Sequence, residues 1–206
     1  MLFRSLKDWR ITHGTKELII SGGEPLQNPE LLKIIESARQ LEYSKIVLYT
    51  TANFEDTNYS AVDLSDAGVD VLMVSVFSSS PRKHDAVARK KGAFRKTIKG
   101  IQSACKEGLK VSINTPVKRN NYKDLPDIYS LLIGFPQELF GWQLGDIHPT
   151  FEANKRKNLH VSYKEVGSAI HNVLIKSLKS ELLIYTQEFP LCIMFPWLLE
   201  TQELTK

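Results

Sequence analysis

Cysteine is scarce in this chain. Two occur in 206 residues, Cys105 and Cys192, far apart and in no Cys-x-x-Cys pair. That usage signals neither a closed metal site nor a disulfide framework. Each cysteine reads first as a small buried hydrophobe, with a functional thiol as the other reading. Long apolar runs are missing too. No stretch approaches the ~20 apolar residues that cross a bilayer. The opening MLFRSLKDWR alternates apolar and charged residues and has no signal-peptide h-region. No membrane association and a cytoplasmic protein are therefore expected. The chain also lacks a repeat of solenoid period, a low-complexity tract and a linker-like segment, so a single domain over 1–206 is expected.

With 42% apolar and 24% charged residues, the chain has the balance of an ordinary globular protein and the length for a sizeable core. The net charge of +4 is modest, but its distribution is not even. Arg82, Lys83, Arg89, Lys90, Lys91, Arg95, Lys96 and Lys99 crowd between Pro81 and Lys99 against the single acid Asp85. A solvated helix face explains such a stretch, and a patch for phosphate or nucleic acid is the sharper reading. No aromatic residues are interleaved to stack bases, so nucleic acid is only weakly supported.

Apolar runs and amphipathic stretches alternate along the chain. Strands are predicted over Leu18–Ser21, 45–50, 69–77, 110–117, 141–149 and 181–186. Helices are predicted over 28–41, 61–68, 93–108, 125–134 and 162–180. In the first of these, Asn28 suits the cap and Pro29 the first helical position. Gly68, Gly108 and Gly134 read as helix stops. Strands apolar on both faces suit a parallel sheet covered by helices, which leaves a doubly wound sheet or a barrel.

The stretch IISGGEPLQNPELL (19–32) places Gly22, Gly23 and Glu24 just past a strand, where parallel α/β folds bind ligands. Glycine admits positive φ and lets a ligand approach the main chain. A carboxylate beside exposed carbonyls suits an ammonium ligand, with Glu24 and the glycine carbonyls sharing its protons. The plainer reading is a turn whose glutamate points to water.

The segment IISGGEPLQNPELLKIIESARQL resembles the GGEP segment of the radical S-adenosylmethionine (SAM) enzymes. VSVFSSSPRKHDAVARKKGAFRKTIKGI is similar to that family's S-L-x-G…H-D…G-x-F…T-I-x-G-I pattern, and VSINTPVKRNNYKDLPDI to the strand and loop that follow. The likeness covers roughly 15–150. It implies an α/β fold, a partial (β/α) barrel with parallel strands, in which Gly22, Gly23 and Glu24 hold the amino group of the cofactor's methionine. It further implies that Ser75 reaches the ribose or carboxylate and that Asn114 is another polar contact. For Ser75 simple packing is the other reading, and for Asn114 a hydrogen bond to a neighbouring loop. His148, at the end of the fifth predicted strand, reads as a loop histidine or a catalytic one.

Several features depart from the family pattern. The family's Cys-x3-Cys-x2-Cys motif ligates three irons of a [4Fe–4S] cluster and leaves the fourth iron for S-adenosylmethionine. No such motif is present. About 17 residues precede the strand before GGEP, and RSLKDWRITHG reads as the tail of the preceding helix. The family's first strand is thus expected to be missing, leaving an apolar edge, and the chain is expected to be a fragment. Phe151 stands where a glycine is common, and YTTANF has no Thr-Asn-Gly. IYTQEFPLCIMFPW resembles a segment after the core barrel, so 181–206 is expected to extend the core. The full-length form is expected to cleave S-adenosylmethionine reductively and form a radical on a peptide, RNA or small molecule, this chain alone being inactive. A cluster-free S-adenosylmethionine or amine-binding module, acting as a partner subunit, is the second reading. An unrelated phosphate-binding α/β barrel enzyme is the third.

Overall fold

Short, largely apolar runs of four to seven residues alternate with amphipathic helices, and each such pair becomes one unit of a parallel sheet. The computed structural model describes residues 2–135, 139–146 and 161–189, and of residues 2–4 the backbone alone. The strands are β1 (Glu17–Ile20), β2 (Lys45–Thr50), β3 (Val71–Ser75), β4 (Lys110–Pro116), β5 (Gly141–Gly145) and β6 (Ile184–Gln187). The helices are α1 (Leu2–His13), α2 (Leu31–Gln40), α3 (Ala61–Ala67), α4 (Pro81–Ala88), α5 (Ala93–Lys106), α6 (Leu125–Ile133) and α7 (Tyr163–Ser177). The six parallel strands follow the order of the sequence, β1 to β6, in an unclosed sheet. Among the described residues β1 has only β2 beside it, and Ile19 is 59% exposed there, the apolar edge expected of the sequence.

The chain divides into two compact units. The first, Met1–Ser75 with Lys91–Ile113, carries β1 to β3 and α5. Its registers pair Ile20 with Leu48 and Thr50 with Val74, so the ends of β1, β2 and β3 are aligned. Leu31, Ile35 and Ala38 of α2, Leu64 of α3, and Ile101 and Ala104 of α5 are fully buried, as are Ile46, Leu48, Leu72 and Val74 of the strands. α1 docks through polar bonds at its rim: Tyr43 Oη donates to the Leu6 carbonyl at 3.0 Å and Arg10 Nε to that of Leu41 at 3.0 Å. Arg39 Nη2 is ion-paired with Asp70 and also donates to the Gly68 carbonyl at 2.6 Å.

In the second unit, Val76–Lys90 with Asn114–Lys206, Trp142 of β5 is fully buried. Its Nε1 donates to Thr115 Oγ1 at 2.9 Å, and that hydroxyl donates on to the Val76 carbonyl at 2.8 Å. The buried indole N–H is thereby satisfied, as an apolar surrounding requires. Leu125, Ile128 and Leu132 of α6, and Val166, Ile170 and Val173 of α7, are buried.

Element boundaries correct the sequence reading where local bonds outcompete periodicity. α2 begins at Leu31 rather than at Asn28, because Asn28 turns the chain first: its Oδ1 accepts from Glu30 N at 3.0 Å. β3 starts at Val71 because the Val69 amide closes the end of α3 on the Leu64 carbonyl at 2.9 Å. The basic run is broken into α4 and α5 by Arg89 (φ 54°) and Gly92 (φ 78°). β6 is Ile184–Gln187 where 181–186 is predicted.

Candidate functional site

The GGEP loop leaves β1 through two left-handed residues, Gly22 (φ 92°) and Gly23 (φ 52°). A Cβ on either would meet nothing within 4 Å, so glycine is required here by conformation and not by room. Both are exposed, and among the described residues neither makes a backbone hydrogen bond. Their carbonyls are acceptors open to a ligand.

Glu24 behaves differently. It is half-buried and caps a short 3-10 turn, Pro25–Gln27. Its Oε1 accepts from Leu26 N at 3.2 Å and from Thr50 Oγ1 at 2.5 Å. Its Oε2 accepts from Thr51 N at 2.8 Å and Thr51 Oγ1 at 2.5 Å. A carboxylate offers about four lone-pair sites, and these four donors take them. Glu24 thus ties the loop after β1 to the end of β2. Thr50 and Thr51 are site residues that sequence reading missed. No local pattern marks them as partners of Glu24, because they reach it only through the pairing of β1 with β2.

Ser75 ends β3 in the same unit, half-buried and one residue past Val74, which pairs with Thr50. Asn114 lies on β4 in the second unit, where its Oδ1 accepts from Gln143 Nε2 at 3.4 Å. Gln143 Nε2 also donates to Gln187 Oε1. Three amides, Asn114 within β4, Gln143 in the middle of β5 and Gln187 at the end of β6, are joined by hydrogen bonds, and Gln143 is 6% exposed. Gln143 and Gln187 were not anticipated, although a lone glutamine inside GWQLG is a polar interruption of the same kind. His148, Phe151 and Cys192 lie outside the described residues.

Part of the basic stretch is paired with acids. Lys96 Nζ lies 2.6 Å from Asp56, Lys99 Nζ 2.9 Å from Glu55, and Lys83 Nζ 2.8 Å from Asp124. The hydrogen bond from Lys99, with the charges of Lys99, Arg95 and Lys96 behind it, holds the Glu55 carboxyl below its ordinary value against an opposing desolvation. Cys105 is half-buried on α5, and burial pushes its thiol up, away from the thiolate a metal ligand needs. Among the described residues no group of three or more His, Cys, Asp or Glu could hold a metal ion. No described helix is long and apolar enough to cross a membrane.

Six parallel strands in sequence order, alternating with helices, define an α/β protein of the partial-barrel class, with an exposed glycine turn at the carboxyl end of β1. The model of the Radical SAM superfamily matches residues 2–132, and the chain belongs to that superfamily. It is 31% identical over 159 residues to molybdenum cofactor biosynthesis protein 1 of Bos taurus, a match over 76% of this chain and 24% of that one. It is 30% identical over 118 residues to the AdoMet-dependent heme synthase of Oleidesulfovibrio alaskensis, over 57% of this chain and 30% of that one. The chain therefore spans about a quarter to a third of these relatives. The fold is that of SuiB from Streptococcus suis, solved with its precursor peptide SuiA: TM-score 0.74, 17% identity, 94% of this chain and 44% of that one.

The residues present fit the two family cofactors unequally. The exposed Gly22 and Gly23 carbonyls fit an ammonium group. The two cysteines do not fit a [4Fe–4S] cluster held by three clustered thiolates.

Proposed function

We propose that this chain is the S-adenosylmethionine-binding portion of a cytoplasmic radical SAM protein, and that Gly22 and Gly23 take the methionine ammonium on their carbonyls. One observation carries this reading: the two carbonyls are open while the neighbouring carboxylate is fully engaged with Leu26, Thr50 and Thr51. Glu24 then serves as the brace of the loop, and its negative charge still favours a cation close by. Ser75 is proposed to contact the ribose or carboxylate.

Reductive cleavage of S-adenosylmethionine, and a radical on a peptide, RNA or small-molecule substrate, are assigned to an assembly that supplies three thiolates. These 206 residues alone hold two cysteines and are proposed not to load a cluster. Calorimetric titration with S-adenosylmethionine and with its deaminated analogue tests the ammonium site. Loss of the amine is expected to weaken binding by about tenfold or more, the scale of one charge-assisted interaction. Equal binding of the two compounds would remove the ammonium from the loop.

A further inference from the structure

The T-I-x-G-I segment of the sequence, Thr97 to Ile101, has no part in the site as described so far, yet it packs against the loop that holds Glu24. Thr97 is 1% exposed, and its Oγ1 donates to the Thr51 carbonyl at 2.9 Å. Thr51 is the residue whose amide and hydroxyl both reach Glu24 Oε2. One turn further along α5, Gly100 lies so close to Ala52 that a Cβ would come within 1.8 Å of its carbonyl oxygen. Ala52 is a non-glycine residue at φ 53°, a conformation that persists only where its surroundings fix it. Its amide donates to Thr50 Oγ1 at 3.1 Å, and its carbonyl accepts from Phe54 N at 3.1 Å. Lys96 and Lys99, on the same side of α5, pair with Asp56 and Glu55 and pin the rest of this loop.

We infer that Thr97 and Gly100 are positioning residues for the glycine loop. They fix Thr51 and Ala52, Thr51 fixes the Glu24 carboxylate, and Glu24 fixes the backbone on which Gly22 and Gly23 present their carbonyls. The inference rests on the reading of that loop as the ammonium site. It also explains why two separate segments with similarity to the family belong together: one carries the loop and the other carries its support. A valine keeps nearly the shape of Thr97 and removes the hydroxyl, so it isolates the hydrogen bond to the Thr51 carbonyl from the packing.

The test uses Thr97→Val and Thr97→Ser, because Gly100→Ala risks failing to fold. Hydrogen exchange is followed at the Thr51 and Leu26 amides, both bound to Glu24, alongside urea unfolding and calorimetry with S-adenosylmethionine. Thr97→Val is expected to speed exchange at both amides by about tenfold beyond any global change and to weaken binding by a similar factor, while Thr97→Ser restores both. Unchanged exchange at Leu26 after correction for global stability overturns the inference. So does faster exchange with undiminished binding, and in that case the ammonium reading stands. If exchange responds as expected but the parent chain binds no S-adenosylmethionine, the bracing is established and the ammonium reading fails.

Discussion

Thr51 gives Glu24 two hydrogen bonds to one oxygen, from its amide at 2.8 Å and from its hydroxyl at 2.5 Å. Thr51→Val removes the hydroxyl and leaves the amide. Hydrogen bonds to charged groups contribute about 1.5–3 kcal/mol, and partial exposure of Glu24 places the loss toward the lower end. Urea unfolding should show that loss for Thr51→Val and its recovery in Thr51→Ser. An unchanged midpoint for Thr51→Val would mean that the hydroxyl does not hold the carboxylate.

Gly100 and Gly23 are both glycines for different reasons, and alanine should separate them. At Gly100 a Cβ meets the Ala52 carbonyl oxygen, so Gly100→Ala is an overpacking change costing about 1–3 kcal/mol or more. At Gly23 the space is open and the backbone is left-handed, so Gly23→Ala costs about 1–2 kcal/mol through conformation alone. Thermal unfolding should place Gly100→Ala below Gly23→Ala. Comparable losses at both would contradict the tight contact between α5 and Ala52.

The fold was readable because its signals are local and repeated. Six strands, alternating with helices, came from runs such as KIVLYT and from stops such as Gly68 at φ 100°. What failed was the placement of ends. Asn28 spends its side chain on a turn, and Val69 spends its amide on closing α3, and neither choice leaves a trace in hydrophobic periodicity. The GGEP loop was readable as a position: the motif put Gly22, Gly23 and Glu24 just past the strand that became β1. The partners of Glu24 were not, because Thr50 and Thr51 are 26 and 27 residues away in sequence and meet it only through the pairing of β1 with β2. Likewise the lysines of α5 gave a basic run in sequence, while their acids, Glu55 and Asp56, lie on another loop.

That pairing leads to a second kind of expectation. With Lys96 and Lys99 engaged by Asp56 and Glu55, and Lys83 by Asp124, the parent chain should show no saturable binding of inorganic phosphate by calorimetry at moderate salt. Replacing Glu55 by Gln and Asp56 by Asn should release the lysines and produce weak, salt-sensitive binding. Saturable binding by the parent, abolished by Arg89→Ala with Lys90→Ala, would favour the phosphate reading of the basic stretch.

The start of α3 carries a pH dependence of known sign. Ser60 Oγ and Ser60 N both donate to Asp63 Oδ2 at 2.7 Å, and Asp63 N donates back to Ser60 Oγ at 3.2 Å. The hydroxyl bond first, and the amide bond second, hold the Asp63 carboxyl below its ordinary value against a slight desolvation. A depressed carboxylate stabilises the fold above its unfolded pKa, and that contribution is lost as pH falls through the folded value. Carboxyl-resolved NMR titration of Ser60→Ala should show Asp63 titrating at higher pH than in the parent. An unmoved titration would deny the capping box its role.

The glycine carbonyls and the Glu24 carboxylate are the two sets of GGEP-loop atoms that could meet the cofactor's ammonium group. Carbonyl-labelled NMR of the chain, titrated with S-adenosylmethionine, distinguishes them directly. The Gly22 and Gly23 carbonyl carbons should shift on binding, while the Glu24 side-chain carboxyl carbon, already engaged by Leu26, Thr50 and Thr51, stays nearly in place. A large shift at the Glu24 carboxyl carbon with still glycine carbonyls would contradict the account, because the carboxylate would then have left its brace to take the ammonium itself.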